Sequence, residues 1–259
     1  MSFANLYVTT GAVILGLMTV LWIISLMIRN ASIADVFWGM GFVIVSCIAF
    51  TFAPQGFFPR KLLACSMVAL WGLRLTVHIG VRNKGRPEDF RYAQWRVENG
   101  LRWWWLSYFK VFILQGFLMW VISAPLIAAQ YSVFPTSITP LDWLGASIWI
   151  FGLLFETIGD LQLTHYKADK SNKGKILTLG LWKFTRHPNY FGEAVLWWGI
   201  YLVAVAAGFW WTIFSPVLMT LLLLKVSGVA MLERTMKSKP GYEEYMRKTN
   251  TFVPWFPKS

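Results

Sequence analysis

The sequence predicts an all-α integral membrane protein with seven transmembrane helices, an N-terminus outside and a cytosolic C-terminus. Its 259 residues are 56% hydrophobic and only 14% charged, whereas about a quarter of the residues in a soluble domain are charged. Several stretches exceed the roughly 18 apolar residues that indicate a spanning helix. Basic residues also concentrate in every second loop, and we expect one membrane domain over residues 1–259.

The predicted spans are seven apolar runs separated by polar or aromatic segments. Each run approaches or exceeds the length that crosses a hydrocarbon core of roughly 30 Å at about 1.5 Å per residue. The first run has neither a basic n-region nor a small-residue cleavage site, so we interpret it as a retained span. Tryptophans at 103–105 and 210–211 are typical of interfacial anchors. In chain order the runs cover about 6–28, 34–53, 62–81, 105–128, 141–162, 191–207 and 209–225.

The formal net charge of +12 is distributed in a way that predicts the orientation. With the N-terminus outside, most of the 24 Lys and Arg residues fall in inner loops or the C-terminal tail, and the outer loops hold only Arg60 and Lys61. Basic inner loops bind anionic lipid head groups, so we expect the lipid bilayer and no nucleic acid as a partner. Cys47 and Cys65 fall in predicted spans without a CxxC spacing, which indicates neither a metal site nor a redox role.

Polar side chains occur inside the predicted spans, where charge is costly. Two of them, Glu156 and Asp160, lie four residues apart and therefore face the same side of one helix. Such groups either pair with one another to hold helices together or line a polar cavity, and the size of the set favours a cavity that opens inward. The set comprises Asp35, Glu156, Asp160, Glu193, Glu233, Gln115 and a stripe on the third span formed by Trp71, Arg74, His78 and Arg82.

Two inner loops are candidates for anion binding. Residues 82–92 combine arginines with turn formers, and arginine pairs bidentately with phosphate, so this loop is either a diphosphate clamp or a solvated loop. Residues 165–190 hold a lysine-rich run and then His187-Pro188-Asn189, where proline can open a helix whose N-terminus binds anions. No dinucleotide-binding glycine pattern, P-loop or zinc-protease motif occurs. These residues predict a polyhelical membrane enzyme with an anionic cofactor.

Several short motifs occur in order between Ala34 and Pro254. They are Asp35-Val36-Phe37-Trp38-Gly39, Asn83-Lys84-Gly85-Arg86-Pro87, Leu114-Gln115-Gly116, Gly159-Asp160 with Lys167, Asn189-Tyr190-Phe191-Gly192-Glu193 with Trp197 and Gly199, and the tail from Tyr245 to Pro254. Together they resemble the bacterial branch of the steroid 5α-reductase family. The core from Arg186 to Gly192 is similar to a wider membrane superfamily, which also holds NADPH-dependent sterol C14 reductases and isoprenylcysteine carboxyl methyltransferases that use S-adenosylmethionine.

The resemblance implies NADPH-dependent reduction of the 4,5 double bond of a 3-oxo-4-ene steroid or a similar lipophilic enone. It implies a substrate-binding half over about residues 1–128 and a cofactor-binding half over about residues 141–259. The positions that it assigns to the cofactor are Arg74, His78, Asn83, Arg86, Arg91, Asp160, Lys167, Lys175, Arg186, His187, Asn189, Tyr190, Glu193 and Tyr245.

The resemblance also implies a carboxyl group and a tyrosine at the substrate carbonyl. Hydride addition builds negative charge on that oxygen, and a hydrogen-bond donor aimed at it is worth about 3 kcal/mol. Asp35 matches the carboxyl position and would donate if burial kept it protonated. Trp71 or its neighbour Gly72 falls at the tyrosine position, and an indole N–H can donate. Tyr92 could fill this role from the loop, although a cofactor-side or structural role suits it better. The expected substrate contacts are Trp38 and Gln115.

Two other functions remain open. A methyltransferase acting on a lipid-like or prenylated thiol would use S-adenosylmethionine and need no donor at a carbonyl. A non-enzymatic lipid-binding or transport protein would take no cofactor, but the chain lacks the inverted repeat and paired broken helices of many transporters. We expect a bacterial inner-membrane location with the cofactor site facing the cytosol, no metal and no obligatory protein partner.

Overall fold

Apolar helices dominate the architecture, as the composition predicts. The computed structural model describes residues 1–53, 55–226 and 228–258, and it contains no β-strand within them. Six of its helices are long and apolar enough to cross a membrane, which supports an integral membrane protein. They are Phe3–Ile28, Ile33–Phe52, Phe58–Asn83, the continuous helical segment Phe90–Tyr131, Pro140–Ala168 and Trp210–Met236.

The predicted run 191–207 is also helical but is not one of these six. It lies in the 19-residue helix Pro188–Ala206. Asn189 and Glu193 near its beginning lower its mean hydropathy, and both are among the residues that the resemblance assigns to the cofactor. Six helices in the described part of the chain are therefore long and apolar enough to span a membrane, and a seventh span and the orientation of the chain stay predictions.

The chain divides into two units. The first contains residues 1–139 and 203–212, and the second contains residues 140–202 and the chain from Ile213 onward. The helices of the first unit are α1 (Phe3–Ile28), α2 (Ile33–Phe52), α3 (Phe58–Asn83), α4 (Phe90–Asn99), α5 (Trp103–Ser107), α6 (Leu114–Ile122) and α7 (Ala124–Tyr131), with a π-helical turn over Tyr108–Ile113. The predicted functional halves have similar boundaries, but their roles are predictions.

The second unit is built on two long helices. Its elements are α8 (Pro140–Ala168), the part of α9 (Pro188–Ala206) up to Leu202, α10 (Phe214–Leu221), α11 (Val229–Met236) and α12 (Tyr242–Lys248), with a π-helical turn over Leu222–Val226. Short 3₁₀ turns at Lys170–Asn172 and Gly180–Lys183 lie in the connection between α8 and α9.

In the first unit, α2 and α3 pack closely because both carry glycine at their crossing. A Cβ on Gly39 would lie 2.4 Å from the Gly72 carbonyl oxygen, and a Cβ on Gly72 would lie 2.6 Å from the Gly39 carbonyl oxygen. Small residues of this kind allow helix backbones to approach each other in a membrane. The crossing holds Asp35, in the first turn of α2, in a set position relative to α3.

In the second unit, α8 and α9 meet along glycines that recur every seven residues. A Cβ on Gly152 would lie 2.6 Å from the Gly192 carbonyl oxygen, and a Cβ on Gly199 would lie 2.6 Å from that of Gly145. Further along, Gly159 faces Pro188 at 3.1 Å. Three contacts in one antiparallel register fix the first turn of α9, which carries Asn189, against α8.

Candidate functional site

Four polar side chains of the first unit form a hydrogen-bonded group at Asp35. The Tyr92 hydroxyl donates to Asp35 Oδ1 at 2.7 Å, and Gln115 Nε2 donates to the same oxygen at 3.0 Å. The Arg91 guanidinium pairs with Asp35 Oδ2 at 2.8 Å. Gln115 Nε2 also lies 3.2 Å from the Tyr92 hydroxyl oxygen. We call Asp35, Arg91, Tyr92 and Gln115 the Asp35 cluster.

Three helices bring the Asp35 cluster together. Asp35 lies in the first turn of α2, Arg91 and Tyr92 lie in the first turn of α4, and Gln115 is the second residue of α6. The loop before α4 is fixed by Asp89, whose carboxylate accepts the Arg91 backbone N–H at 3.0 Å and Arg91 Nε at 2.7 Å. The Asp89 N–H donates to Ser32 Oγ at 2.8 Å, which ties α4 to the residue preceding α2.

The loop has a second attachment through Glu88. One of its carboxylate oxygens accepts the Ala31 backbone N–H at 2.7 Å, and Arg96 binds both oxygens at 2.8 and 2.9 Å. Partial burial would raise the pKa of Asp89, but the hydrogen bonds and charge of Arg91 outweigh it and hold that pKa below its usual value. Asp89 is therefore ionised at neutral pH and keeps Arg91 oriented.

Asp35 accepts hydrogen bonds in this arrangement. Its two oxygens receive Arg91, Tyr92 and Gln115. The expected role of Asp35 as a protonated donor to a carbonyl is not seen in this geometry and stays a prediction. Tyr92 is the hydroxyl beside the carboxyl group, and its side chain is buried. Its place in the cluster is observed, and whether its role there is catalytic, structural or on the cofactor side stays a prediction.

Gln115 has one further feature. Its Oε1 is buried and makes no hydrogen bond, while Nε2 serves both Asp35 and Tyr92. The opposite amide orientation would turn an oxygen toward Asp35 Oδ1, which is an acceptor, so the bond to this oxygen sets the orientation that is observed. Predicted from sequence as a substrate contact, Gln115 has an acceptor available for a ligand.

The tryptophans of the predicted site belong to a row of aromatic rings. Trp38 and Phe42 have ring centroids 5.4 Å apart, and Phe42 and Trp71 have centroids 5.7 Å apart. Trp71 is fully buried, which suits a core position. Tyr92 contacts Asp35 directly, and the expected role of Trp71 as a donor at the carbonyl stays a prediction.

The remaining candidates of the first unit lie on α3 and its following loop. Arg74 and His78 are half-buried on α3, and both interact with other groups. Asn83, the last residue of that helix, accepts a hydrogen bond from Arg82 Nε at 3.3 Å. Arg86 is exposed. Of the predicted cations of the first unit, Arg91 is the one that reaches Asp35.

In the second unit, Arg186 is the centre of a buried network. Its Nε binds Glu233 Oε1 at 2.7 Å, Nη1 donates to the carbonyls of Met246 and Thr249, and Nη2 donates to Thr251 Oγ1 at 2.7 Å. His187 Nε2 lies 3.3 Å from the same Glu233 oxygen. The guanidinium therefore binds Glu233 and the C-terminal tail through four of its five N–H donors, and its predicted contact with a cofactor stays a prediction.

Asn189, Asp160 and Glu193 surround the beginning of α9. Asn189 Nδ2 donates to Asp160 Oδ1 at 3.1 Å, and Asp160 and Glu193 are both buried. Tyr190 stacks on His187, with ring centroids 5.7 Å apart. The predicted residues 160, 187, 189 and 190 are thus brought to one end of the α8–α9 pair.

The last three predicted cofactor residues are two exposed lysines and one buried tyrosine. Lys167 lies in the last turn of α8 and Lys175 in the loop that follows it, and both are exposed. Lys167 also has an interaction partner. Tyr245 is buried, and its hydroxyl donates to the Trp182 carbonyl. Burial raises the pKa of Tyr245 above its usual value, so the hydroxyl stays a donor. Tyr245 holds the tail on the loop before α9.

Some important residues are not apparent from sequence reasoning. From sequence, Glu88 and Asp89 are predicted only as members of the loop 82–92. The one sequence feature that could have indicated their structural role is that they immediately precede the first residue of α4, Phe90. Arg60 and Lys61, predicted to lie in an outer loop, are buried at the start of α3. Arg60 donates to the carbonyls of Pro135 and Ser137 at 3.2 and 3.1 Å, and Lys61 Nζ donates to that of Ala53 at 2.6 Å. Arg60 therefore attaches the loop before α8 to the start of α3, and Lys61 attaches the end of α2 to it.

Comparison with known proteins assigns a family without an activity. Residues 21–249 match the family described as "Protein of unknown function (DUF1295)", and the chain belongs to that family. It is 26% identical, over 98% of its length and 83% of the relative, to the uncharacterized protein C594.04c of Schizosaccharomyces pombe. No solved structure matches the chain.

Proposed function

We propose that this member of the DUF1295 family is a membrane-embedded reductase that uses NADPH to reduce the 4,5 double bond of a 3-oxo-4-ene steroid or a similar lipophilic enone. The observation that carries the proposal is the 2.7 Å hydrogen bond between Tyr92 and Asp35. It pairs a phenol with a carboxylate at the end of a span, which is the pair that the resemblance to steroid 5α-reductases implies. The specific family assignment and the substrate are part of the proposal.

In the proposed reaction, Tyr92 donates its hydroxyl hydrogen to the enone carbonyl oxygen. The hydroxyl exchanges its bond to Asp35 for one to the substrate, while Gln115 Nε2 keeps donating to the Tyr92 oxygen. That second hydrogen bond makes the phenol a stronger donor as negative charge develops on the carbonyl. Arg91, whose guanidinium carbon lies 5.0 Å from the centroid of the Tyr92 ring, holds the phenol in place. Trp38, half-buried on the same helix as Asp35, supplies an apolar wall for the substrate.

The second unit has a donor set that fits a dinucleotide phosphate. Three exposed lysines lie at the end of α8 and along the connection to α9, at positions 167, 175 and 183. Lysine binds phosphate as a point charge. Asn189 and Asp160 offer an amide and a carboxylate for ribose or carboxamide groups. Arg186, which binds Glu233 and the tail, is left out of this donor set. Bound NADPH would supply the hydride that is added to the β-carbon of the enone, and the α-carbon of the resulting enolate would take a proton from solvent.

The proposal includes an orientation. With α9 as a seventh span, the N-terminus lies outside and the C-terminus in the cytosol, as the positive-inside rule favours. Lys167, Lys175 and Lys183 then belong to an inner loop, where a soluble cofactor is available. In a bacterial host the membrane would be the inner membrane.

Ligand-induced stabilisation of the detergent-purified protein tests the proposal. A specific ligand raises the unfolding midpoint according to its concentration relative to its dissociation constant. We expect a rise with NADPH, a smaller one with NADH and none with S-adenosylmethionine, followed by NADPH-dependent turnover of progesterone or testosterone. Stabilisation by S-adenosylmethionine alone would replace the reductase by a methyltransferase. No response to any of the three would favour a non-enzymatic lipid-binding protein.

A further inference from the structure

The tail that follows α12 exposes large apolar side chains outside any candidate span. Val253, Trp255 and Phe256 are 60%, 66% and 74% exposed, and we call these three residues the tail patch. The rings of Trp255 and Phe256 have centroids 6.4 Å apart, so they form one surface. The candidate spans in the described part of the chain end at Met236, so a position within a span does not account for this exposure. A contiguous exposed apolar surface of this kind indicates an interaction site.

The tail follows a fixed path along the connection that precedes α9. The Trp255 backbone N–H donates to the Phe184 carbonyl at 3.0 Å, and the Thr185 hydroxyl donates to the Phe252 carbonyl at 2.8 Å. The rings of Phe184 and Phe256 have centroids 6.1 Å apart. An ordered backbone therefore presents the tail patch outward, and the exposure is not that of a frayed chain end.

The buried contacts of Arg186 bring the tail beside the end of a candidate span. Glu233 lies three residues before the end of the segment Trp210–Met236, and its carboxylate binds Arg186 Nε at 2.7 Å. The same guanidinium donates to the Thr249 carbonyl and to Thr251 Oγ1. One side chain thus joins the last turn of this segment to the tail. Because a spanning helix ends near the boundary between hydrocarbon and head groups, the tail lies near that boundary.

The chemistry of the tail patch fits this boundary. Tryptophan is enriched where hydrocarbon meets head groups, since its ring is apolar and its N–H can donate. The Lys258 backbone N–H donates to the Lys248 carbonyl at 2.8 Å, which brings two exposed lysines to one end of the tail. Lys248 pairs with Glu244 at 2.7 Å, so Lys258 is the cation that we assign to lipid. A lysine at the membrane surface attracts anionic head groups.

We propose that the tail patch docks on an anionic phospholipid leaflet, with Trp255 and Phe256 at the depth of the head groups and Lys258 against phosphate. This contact holds the connection before α9 at the membrane surface, because the Trp255 backbone is bonded to Phe184. With the proposed N-outside orientation the leaflet is the cytosolic one, whose surface is anionic. The docking does not depend on the proposed reductase activity.

A depth measurement on the full chain in lipid nanodiscs tests the docking. Cys47 and Cys65 are replaced by serine, and a spin label is attached at Val253→Cys in nanodiscs of phosphatidylethanolamine and phosphatidylglycerol. We expect the label to collide often with oxygen, which concentrates in lipid, and rarely with a neutral nickel chelate, which stays in water. Frequent collision with the chelate would show that the patch faces water. Protection from both would show that a second copy of the chain covers it, and either result would overturn the proposal.

Two variants identify the side chains that dock. The label at Glu243→Cys, an exposed position on α12, should collide with the nickel chelate and serves as the control. Trp255→Ser combined with Phe256→Ser should move the Val253→Cys label into water without lowering the unfolding midpoint in detergent, because the removed side chains are exposed. A label that keeps its depth without both rings would overturn the docking by the tail patch.

The lipid composition tests the assigned charge. One lysine near an anionic surface contributes about 1 kcal/mol, which corresponds to a preference of about 5-fold. Lys258→Gln should therefore shift the label toward water by about that factor, and nanodiscs of phosphatidylcholine alone should have a similar effect on the unchanged tail. Equal depth in anionic and zwitterionic nanodiscs would overturn the assignment to an anionic leaflet.

Discussion

The Tyr92 hydroxyl donates to Asp35 Oδ1 at 2.7 Å, which joins the first turn of α4 to the first turn of α2. The two residues are 57 positions apart in the chain. Gln115 from α6 donates to both partners. One carboxylate therefore gathers polar groups from three helices, at a depth where each isolated group would be costly to bury.

Tyr92→Phe should lower enone reduction strongly. Loss of a single donor to a developing oxyanion typically reduces kcat by about 10²- to 10³-fold. NADPH-induced stabilisation should persist, since the phenol is assigned to the substrate. Tyr131→Phe is the matched control, because its hydroxyl makes a longer bond of 3.4 Å to the Met1 carbonyl. Equal activity of the Tyr92 and Tyr131 variants would remove Tyr92 from the reaction.

Asp35 and Arg91 should show coupled effects on stability. Their side chains are about one-fifth exposed, at 19% and 23%. Removing one charge leaves the other partly buried, and we expect Arg91→Gln to cost about 1–3 kcal/mol, a value discounted for this exposure. Adding Asp35→Asn should recover part of the loss, which a double-mutant cycle of unfolding measurements detects. Strict additivity of the two changes would contradict the pairing.

Arg186→Lys should destabilise the second unit although it keeps the charge. Lysine cannot reproduce the planar set of donors that reaches Glu233 and the Thr249 and Thr251 groups. We expect a loss of about 2 kcal/mol or more, together with faster proteolysis of the C-terminal tail. Arg247→Lys, at an exposed position, is the control. A variant as stable as wild type that binds NADPH poorly would instead return Arg186 to the cofactor.

Lys175→Gln should weaken NADPH binding without affecting the fold. An exposed lysine contributes modestly, so we expect the Kd for NADPH to rise about 2- to 5-fold, less so at high salt. Lys248→Gln is the control, because that exposed side chain pairs with Glu244 at 2.7 Å. Thermal-shift titrations at two salt concentrations provide the measurement, and an equal shift for both variants would argue against a specific phosphate contact.

Gly192→Ala should disrupt the packing of α8 and α9. The added Cβ would lie 2.4 Å from the Glu156 backbone nitrogen, and such overpacking typically costs about 1–3 kcal/mol. Gly16→Ala is a matched helical control, since a Cβ there meets nothing within 4 Å. It should be neutral or stabilising by up to about 1 kcal/mol. A lower unfolding midpoint for both variants would indicate a general intolerance of alanine.

Much of the membrane fold is predictable from local properties of the chain. Apolar run length indicates a spanning helix, because a helix satisfies its own backbone hydrogen bonds in lipid. Polar residues within such runs are conspicuous for the same reason, which is why the sequence alone identifies Asp35 and Gln115 as candidates. The α8–α9 contact is also visible in the heptad spacing of Gly145, Gly152 and Gly159, although its meaning requires the facing helix.

The partners of the polar residues depend on contacts between distant segments. The resemblance implies that Arg186 contacts the cofactor, and only the folded chain shows that its guanidinium reaches the tail between Met246 and Thr251. Tyr92 is the partner of Asp35 because Asp89 and Ser32 attach the start of α4 beside α2. Hydropathy depends on composition along a segment, whereas a hydrogen bond depends on the positions of two segments, and only packing of the helices sets those positions.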